Sequence, residues 1–183
     1  MNNYAAIDWS MSSPAMAIGS SANPDDLLFF GVKTKKKHFS IQNFHLYEPV
    51  TDYENDIDRF SRLAKPFIVA LVTHNVKTVF MEGYAYGANG NTFSIGESTG
   101  VLKYMLWKAG IDYVIVQPGT IKKHHTGKGN ANKNLMYDAY VESTGQDMIA
   151  LLGEHRGANI PAPVNDLVDA YAILQVGISL QAS

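Results

Sequence analysis

Short apolar runs separated by turn residues fill the first part of the chain. This pattern predicts β-strands, because each run is too short for a helix and ends in Gly, Asn, Ser or Asp. The predicted strands are Tyr4–Trp9, Pro14–Gly19, Leu27–Lys33 and Ile41–Tyr47. Strands that follow one another this closely favour an antiparallel meander.

The period of the pattern then changes from strand-like to helix-like. Between Asp52 and Asn75, apolar residues recur at spacings of three and four, as in an amphipathic helix, with Pro66 inside it. The remaining pattern predicts strands at Lys77–Met81 and Tyr113–Val116, helices at Thr92–Ala109, Ala131–Ser143 and Asn165–Leu180, and loops at Tyr84–Asn91, Pro118–Gly129 and Glu154–Pro163. The order predicts an α/β fold in which a meander is extended by parallel strands into a mixed sheet flanked by helices. We expect one domain over residues 1–183, since no repeat or domain boundary is visible.

Composition excludes several classes of protein. Hydrophobic residues make up 46% of the chain and charged residues 17%, as in ordinary globular proteins. The absence of cysteine excludes a disulfide scaffold and any cysteine-ligated zinc or iron–sulfur site. No apolar run approaches the roughly 20 residues that span a bilayer, and the first ten residues lack the basic region of a signal peptide. We therefore expect a cytoplasmic protein without membrane contact.

The net charge of −2 argues against nucleic-acid binding, but the lysines are clustered. One cluster is Lys33, Lys35, Lys36 and Lys37, and another is Lys122, Lys123, Lys128 and Lys133. No acidic residue falls between Gln117 and Asn134. A positive strip of this kind attracts phosphates, while the first cluster alone also fits a solvated hairpin tip.

Four acidic residues occupy positions that suggest chemistry. Asp8 and Glu82 each end a predicted buried strand, and ligands gather beyond the carboxyl ends of strands in open α/β sheets. Taken singly, each is more simply explained as an acid that ends a strand or starts a turn. Asp166 and Asp169 share one face of the last predicted helix, where helix capping explains them as well. Together, the four carboxylates suit two hard cations, Mg²⁺ or Mn²⁺, and hydrolysis of a phosphodiester.

Several stretches, in this order and spacing, resemble the RuvC-like Holliday junction resolvases of the RNase H-like superfamily, in their phage-encoded branch. They are Ala6-Ile-Asp-Trp-Ser10, Val79-Phe-Met-Glu82, Gly96-Glu-Ser-Thr-Gly100, Gln117-Pro-Gly-Thr-Ile-Lys-Lys123, Thr126-Gly-Lys-Gly-Asn130 and Asn165-Asp-Leu-Val-Asp-Ala-Tyr-Ala172. The resemblance implies an RNase H-like fold and a homodimer that nicks four-way DNA junctions with Mg²⁺ or Mn²⁺.

The resemblance also implies residue roles. Asp8, Glu82, Asp166 and Asp169 match the family's metal-binding and catalytic acids, and Lys133 matches its basic residue near the scissile phosphate. The chain departs from the family at Trp9-Ser10, where many members have Pro-Gly, so the loop beside the metals is expected to differ.

Further residues are candidates for DNA contact. Tyr84 or Tyr86 would stack on a junction base, or else pack against the next helix. Lys122, Lys123 and Lys128 would contact phosphates. His124 and His125 have no zinc-ligand spacing, and we expect solvated loop histidines. The helix around Gly96–Ala109 is the expected dimer interface, because Val101, Tyr104, Met105 and Trp107 offer more apolar surface than one core face needs.

Other functions compete with junction resolution. One is a non-catalytic RNase H-like module that binds nucleic acid or a protein, and the four acids argue against it. Another is a phosphotransferase of the actin–sugar-kinase group, which needs a Gly-rich loop that Trp9-Ser-Met-Ser-Ser13 does not supply. A nuclease for flaps, forks or RNA–DNA hybrids has the same sequence features.

Overall fold

A computed structural model describes residues 3–21, 23–32, 39–83 and 92–181 of the chain. Its strands are β1 (Tyr4–Asp8), β2 (Ala15–Gly19), β3 (Leu28–Val32), β4 (Phe39–Ile41), β5 (Phe44–Tyr47), β6 (Thr78–Glu82) and β7 (Asp112–Val116). Its α-helices are α1 (Asp56–Thr73), α2 (Thr92–Lys108), α3 (Pro118–Thr126), α4 (Lys133–Thr144), α5 (Met148–Leu151) and α6 (Val164–Gln181). A short 3₁₀ helix covers Pro24–Asp26.

The strands form one mixed sheet in the order β4-β5-β3-β2-β1-β6-β7. β1, β2 and β3 are antiparallel neighbours, so the predicted meander is confirmed for these three strands. On its other edge, β1 pairs with β6 in parallel, and β6 pairs with β7 in parallel. The predicted α/β class, with a mixed sheet flanked by helices, is therefore confirmed.

The predicted strand Ile41–Tyr47 is confirmed only from Phe44 onward, as β5. Gln42 has φ of 50° and lies in a turn that separates β5 from its antiparallel partner β4. The Asn43 side chain in this turn donates a hydrogen bond to the Leu27 carbonyl at 2.7 Å. That contact sets the turn beside the start of β3, and β5 then runs parallel to β3.

The predicted loop Pro118–Gly129 is also wrong, because most of it is the helix α3. Pro118 occupies the first helical position, and Gly127 ends the helix in a left-handed conformation with φ of 76°. The Gly127 N–H donates to the Lys123 carbonyl at 2.9 Å. A proline at the start and a glycine just past the end are the usual signals of helix boundaries.

Side chains alternate between the two faces of the sheet, and each face has its own core. Ala5 and Ile7 of β1 pack in the core with α1 and α2, whereas Ala6 packs in the core with α6. The same alternation continues to the strand ends. Asp8 therefore points toward the α6 face, and Glu82 does so too, because it follows Phe80 by two residues.

α6 is buried along most of its length, because apolar residues predominate on it apart from the acids near its start. It packs across β1, β2 and β6. Gly177 allows this close approach, because a Cβ at that position would lie 2.1 Å from the Phe80 ring. Within the described ranges, no helix is both long enough and apolar enough to cross a membrane.

Gly177→Ala is expected to lower the free energy of unfolding by about 2 kcal/mol, because overpacking against Phe80 outweighs the better helix propensity of alanine. Urea unfolding followed by circular dichroism measures this change. Gly100→Ala in α2 is the matched control, since no atom lies within 4 Å of a Cβ built there. That variant should be as stable as the unchanged protein or more so. Equal stability of both variants would contradict the close α6–β6 contact.

Candidate active site

Two acids lie at neighbouring strand ends. Asp8 is the last residue of β1 and Glu82 is the last residue of β6. The two strands are parallel, and Ile7 is paired with Met81 one residue earlier. Asp8 and Glu82 thus leave the sheet side by side, at the same edge and toward the same face.

α6 brings two further acids to this edge. Asp166 lies in its first turn and is only 7% exposed, and Asp169 follows one turn later on the same side. All four acids line one open cavity of about 510 Å³, together with Lys122 and Lys133. Apolar side chains from three helices, Ile121, Met136 and Ile173, also line it. The structure therefore places the four acids singled out in the sequence in one cavity.

Burial makes ionisation of all four carboxylates costly, and repulsion between acids adds to this cost at Asp8 and Asp169. Burial raises the pKa of Asp8 well above its usual value, and repulsion from Asp169, Asp166 and Glu82 raises it further, while Lys133 lowers it. Burial also raises the pKa of Asp169, to about 7, with Lys133 opposing the shift. The pKa values of Glu82 and Asp166 are raised by burial in the same way. The cavity thus holds more negative potential than its two lysines neutralise.

A pH-dependent stability follows from these shifts. The pKa of Asp169 is higher in the folded state than in the unfolded state. The stability that this residue contributes to the fold is therefore present at low pH and is lost as pH rises through about 7. Asp169→Asn is expected to raise the free energy of unfolding by on the order of 2–4 kcal/mol at pH 8 and to change it little at pH 4. Urea unfolding in EDTA across this pH range measures the difference.

Comparing the free energies of unfolding of the variant and the unchanged protein at each pH isolates the contribution of Asp169. Burial lowers the pKa of His125, which acts on stability in the opposite direction, but this effect is common to both proteins. Asp112→Asn, at an exposed position on β7, serves as the matched control and should show no such pH-dependent gain. An Asp169→Asn variant that is less stable at pH 8 would contradict the crowding of acids.

Asp166 is held by hydrogen bonds at both oxygens. The Ser13 hydroxyl donates to Oδ2 at 2.7 Å, and the Asn165 side-chain amide donates to Oδ1 at 2.9 Å. The Lys133 ammonium lies 3.8 Å from the same Oδ1. Ser13 and Asn165 were not among the predicted site residues: Ser13 lies in a serine-rich loop without a site pattern, and Asn165 was included in a matching stretch without a role of its own.

The predicted DNA-contacting residues are only partly brought together. Lys133 begins α4 and Lys122 lies on α3, and both border the cavity. Lys123 and Lys128 are exposed and lie outside the cavity lining. The predicted contacts Tyr84 and Tyr86, and the lysines between residues 33 and 37, lie outside the described residues.

His125 differs from the expected solvated histidine. It is half-buried on α3, with Nδ1 2.7 Å from Gln175 Oε1 and Nε2 3.0 Å from the Met136 carbonyl. Its ring thus links α3 to α4 and to α6, the helices that carry Lys133 and the paired acids. His124, the neighbouring residue, is exposed as expected.

The donors in the cavity suit a hard divalent cation by their chemistry. All four are carboxylates, and a cation would favour their charged forms, which burial disfavours in all four and repulsion disfavours further in Asp8 and Asp169. As the side chains stand, no group of three or more His, Asp and Glu among the described residues is arranged to hold a metal ion. It is thus the chemistry of the donors, and not a preformed arrangement of ligands, that suits a cation.

No protein-family model and no curated protein matches the sequence. Solved structures do match the chain. Thermus thermophilus RuvC in complex with a Holliday junction substrate matches with a TM-score of 0.63 and 17% identity, over 97% of this chain and 98% of that one. The yeast mitochondrial Holliday junction resolvase Ydc2 matches with a TM-score of 0.55 and 14% identity, over 99% of this chain and 79% of that one.

A viral structure also matches over nearly the whole length of this chain. The fowlpox virus resolvase, in complex with substrate Holliday junction DNA, has a TM-score of 0.53 and 11% identity, over 99% of each chain. These identities are low, and the likeness is one of fold. The chain has the RNase H-like fold of RuvC and other Holliday junction resolvases, as the sequence resemblance implied.

Proposed function

We propose that this protein is a structure-selective, metal-dependent DNA endonuclease that resolves four-way junctions. The observation that carries the proposal is the convergence of Asp8, Glu82, Asp166 and Asp169 in one open cavity with lysines at its border. An acidic cavity repels a phosphodiester unless cations intervene. A cluster of acids in a cleft with raised pKa values is typical of a functional site.

In this proposal, the four carboxylates hold two Mg²⁺ or Mn²⁺ ions. Bound there, the ions supply activation of the attacking water and stabilisation of the leaving oxygen. Lys133 lies against Asp166 and is more than half exposed, so its ammonium is free to approach the scissile phosphate from the solvent side. Its role is to stabilise the charge that develops on the phosphate oxygens during cleavage.

Branched DNA is the proposed substrate, because two of the matching structures contain Holliday junction DNA. Lys122, Lys123 and Lys128 lie on or just after α3, which borders the cavity. They would contact backbone phosphates and set the position of the strand without reading its sequence. Tyr84 and Tyr86 remain proposed base-stacking residues.

A cleavage assay tests the proposal. Purified protein is mixed with an end-labelled four-way junction, a fork, a flap, an RNA–DNA hybrid and a linear duplex, with Mg²⁺, Mn²⁺ or EDTA. We expect paired nicks in the junction with either metal and no cleavage in EDTA. Equal cleavage of forks, flaps or hybrids would support the proposed nuclease activity but contradict its selectivity for junctions. Junction binding without cleavage of any substrate would favour a non-catalytic binding module.

A homodimer is proposed on separate grounds. On α2, Tyr104 is 55% exposed and Trp107 is 72% exposed, and the two rings contact each other. Tyr113 and Ile115 of the edge strand β7 are also exposed. Val101 and Met105, named with them from the sequence, are half-buried. A two-fold dimer would present two equivalent sites to the two equivalent strands of a junction.

Trp107→Glu is expected to convert a dimer into a monomer, because it places a charge in the centre of the proposed interface. Sedimentation equilibrium at micromolar concentration measures the mass. Val72→Glu on α1 is the matched control, since Val72 is also an exposed apolar residue and lies on a different helix. It should leave the mass unchanged. A monomeric unchanged protein would contradict the dimer.

A further inference from the structure

The loop that follows Asp8 is tied down at several points, although it contains no glycine or proline before Pro14. The Trp9 indole donates to the hydroxyl of the fully buried Ser98 on α2 at 3.0 Å. Arg59 of α1 donates to the Met11 carbonyl at 3.0 Å. These contacts tie the loop to both helices on the α1–α2 face of the sheet.

Ser13, near the end of this loop, makes a contact on the opposite face of the sheet. The Ser13 N–H donates to the Ser10 hydroxyl at 3.0 Å, which fixes the backbone of Ser13. The Ser13 hydroxyl donates to Asp166 Oδ2 at 2.7 Å, across 153 residues of sequence. The loop after one proposed metal ligand thus holds another proposed metal ligand, which comes from a helix far along the chain.

Asn165 holds the other oxygen of Asp166 in an arrangement that leaves one of its own groups unsatisfied. Its amide nitrogen donates to Asp166 Oδ1 at 2.9 Å, and its carbonyl oxygen Oδ1 is buried without a hydrogen-bond partner among the residues that the structure describes. A buried unsatisfied acceptor destabilises a fold. Buried polar groups left unsatisfied call for an explanation, and orienting the acid is one that the geometry supplies.

We propose that Ser13 is a positioning residue that sets the Asp166 carboxylate for metal binding. The inference rests on the proposed function. The Lys133 ammonium lies 3.8 Å from Oδ1, and without a partner at Oδ2 the carboxylate would be free to rotate about its side-chain bonds and turn Oδ2 toward this charge as well. With the Ser13 hydroxyl in place, Oδ2 is fixed and keeps further lone pairs for a cation. The loop from Trp9 to Ser13 thereby sets an acid of α6 in register with Asp8 on β1.

Metal binding to the full-length protein in the absence of DNA tests this inference. Isothermal titration with Mn²⁺ after EDTA removal compares the unchanged protein with Ser13→Ala, Ser13→Thr and Ser12→Ala. Groups that orient metal ligands typically change metal affinity by about 10–100-fold when removed. We expect the dissociation constant to rise by about 10-fold or more in Ser13→Ala and to be largely restored in Ser13→Thr, which keeps the hydroxyl.

Ser12→Ala is the matched control, because Ser12 is exposed and lies next to Ser13 in the same loop. Its Mn²⁺ affinity should equal that of the unchanged protein. Ser13→Cys, with a similar size and a weaker donor, should have an intermediate affinity. Measuring it alongside retains the comparison if Ser13→Ala does not fold.

The possible failures are distinguishable. Equal Mn²⁺ affinity in Ser13→Ala and the unchanged protein would overturn the positioning role and leave the proposed nuclease intact. An equal loss in Ser12→Ala and Ser13→Ala would also overturn it, because the effect would then belong to the loop as a whole. An unchanged protein that binds no Mn²⁺ would overturn the proposed function and this inference with it.

Discussion

Asp8→Asn is expected to reduce junction cleavage by on the order of 10³-fold or more and, at the same time, to stabilise the fold. The activity falls because Asn cannot supply the charged oxygen that the proposed cations need. Stability rises because Asp8 is surrounded by three other acids, and both burial and their repulsion raise its pKa. Asn carries no charge at any pH, so the substitution removes both the cost of ionising this buried group and its repulsion of the other acids.

The two opposite effects distinguish a catalytic role from a structural one. Single-turnover cleavage of an end-labelled four-way junction measures the first effect, and urea unfolding in EDTA from about pH 5 to about pH 9 measures the second. Junction affinity, measured in EDTA by fluorescence anisotropy, should not fall. Loss of both activity and stability would indicate that Asp8 serves the fold. Retained cleavage would contradict the proposed site.

Lys133→Ala is expected to slow cleavage by about 10²-fold while changing junction affinity only a few-fold, because its charge acts mainly on the transition state. Its ammonium lies beside Asp166, so its loss should also raise the pKa values of the neighbouring acids, which it now lowers. Lys133→Arg keeps the charge and should restore part of the rate. Single-turnover rates and binding curves separate the two effects.

Lys128→Ala provides the contrast, because Lys128 is exposed and lies outside the cavity. It should weaken junction binding and reduce its salt dependence, and leave the rate of the bound complex unchanged. If Lys133→Ala behaved in the same way as Lys128→Ala, the lysine would be a phosphate contact and its proposed part in the chemistry would be wrong.

The strand-borne half of the site was predictable from the sequence for a local reason. Asp8 and Glu82 each follow an apolar run, and alternation within a strand decides which face the next side chain takes. Helical periodicity likewise placed Asp166 and Asp169 on one side of α6. These features depend on neighbours within a few residues.

α3 escaped prediction because its sequence carries little helical pattern. Ile121 is its one buried side chain, and the lysines and histidines around it resemble those of a solvated loop. The boundary signals Pro118 and Gly127 were present but were outweighed by composition. His125 was misjudged for the same reason, since its partners Gln175 and the Met136 carbonyl are supplied by other helices.

The support around Asp166 could not be predicted, because it depends on tertiary contact. A serine-rich loop after a strand resembles a turn, and nothing local indicates that Ser13 reaches a helix 153 residues away. The division of the predicted fourth strand into β4 and β5 has a similar cause. Asn43 reaches the Leu27 carbonyl on a neighbouring segment, and that contact fixes the turn.

The position of α6 along the chain has a consequence for biosynthesis. This helix supplies Asp166 and Asp169, and it also covers β1, β2 and β6 on one face of the sheet. A nascent chain whose α6 segment has not yet emerged from the ribosome therefore has neither a complete core nor a complete set of acids. Translation products that stop before this helix are expected to lack both a stable fold and two of the four acids that line the cavity.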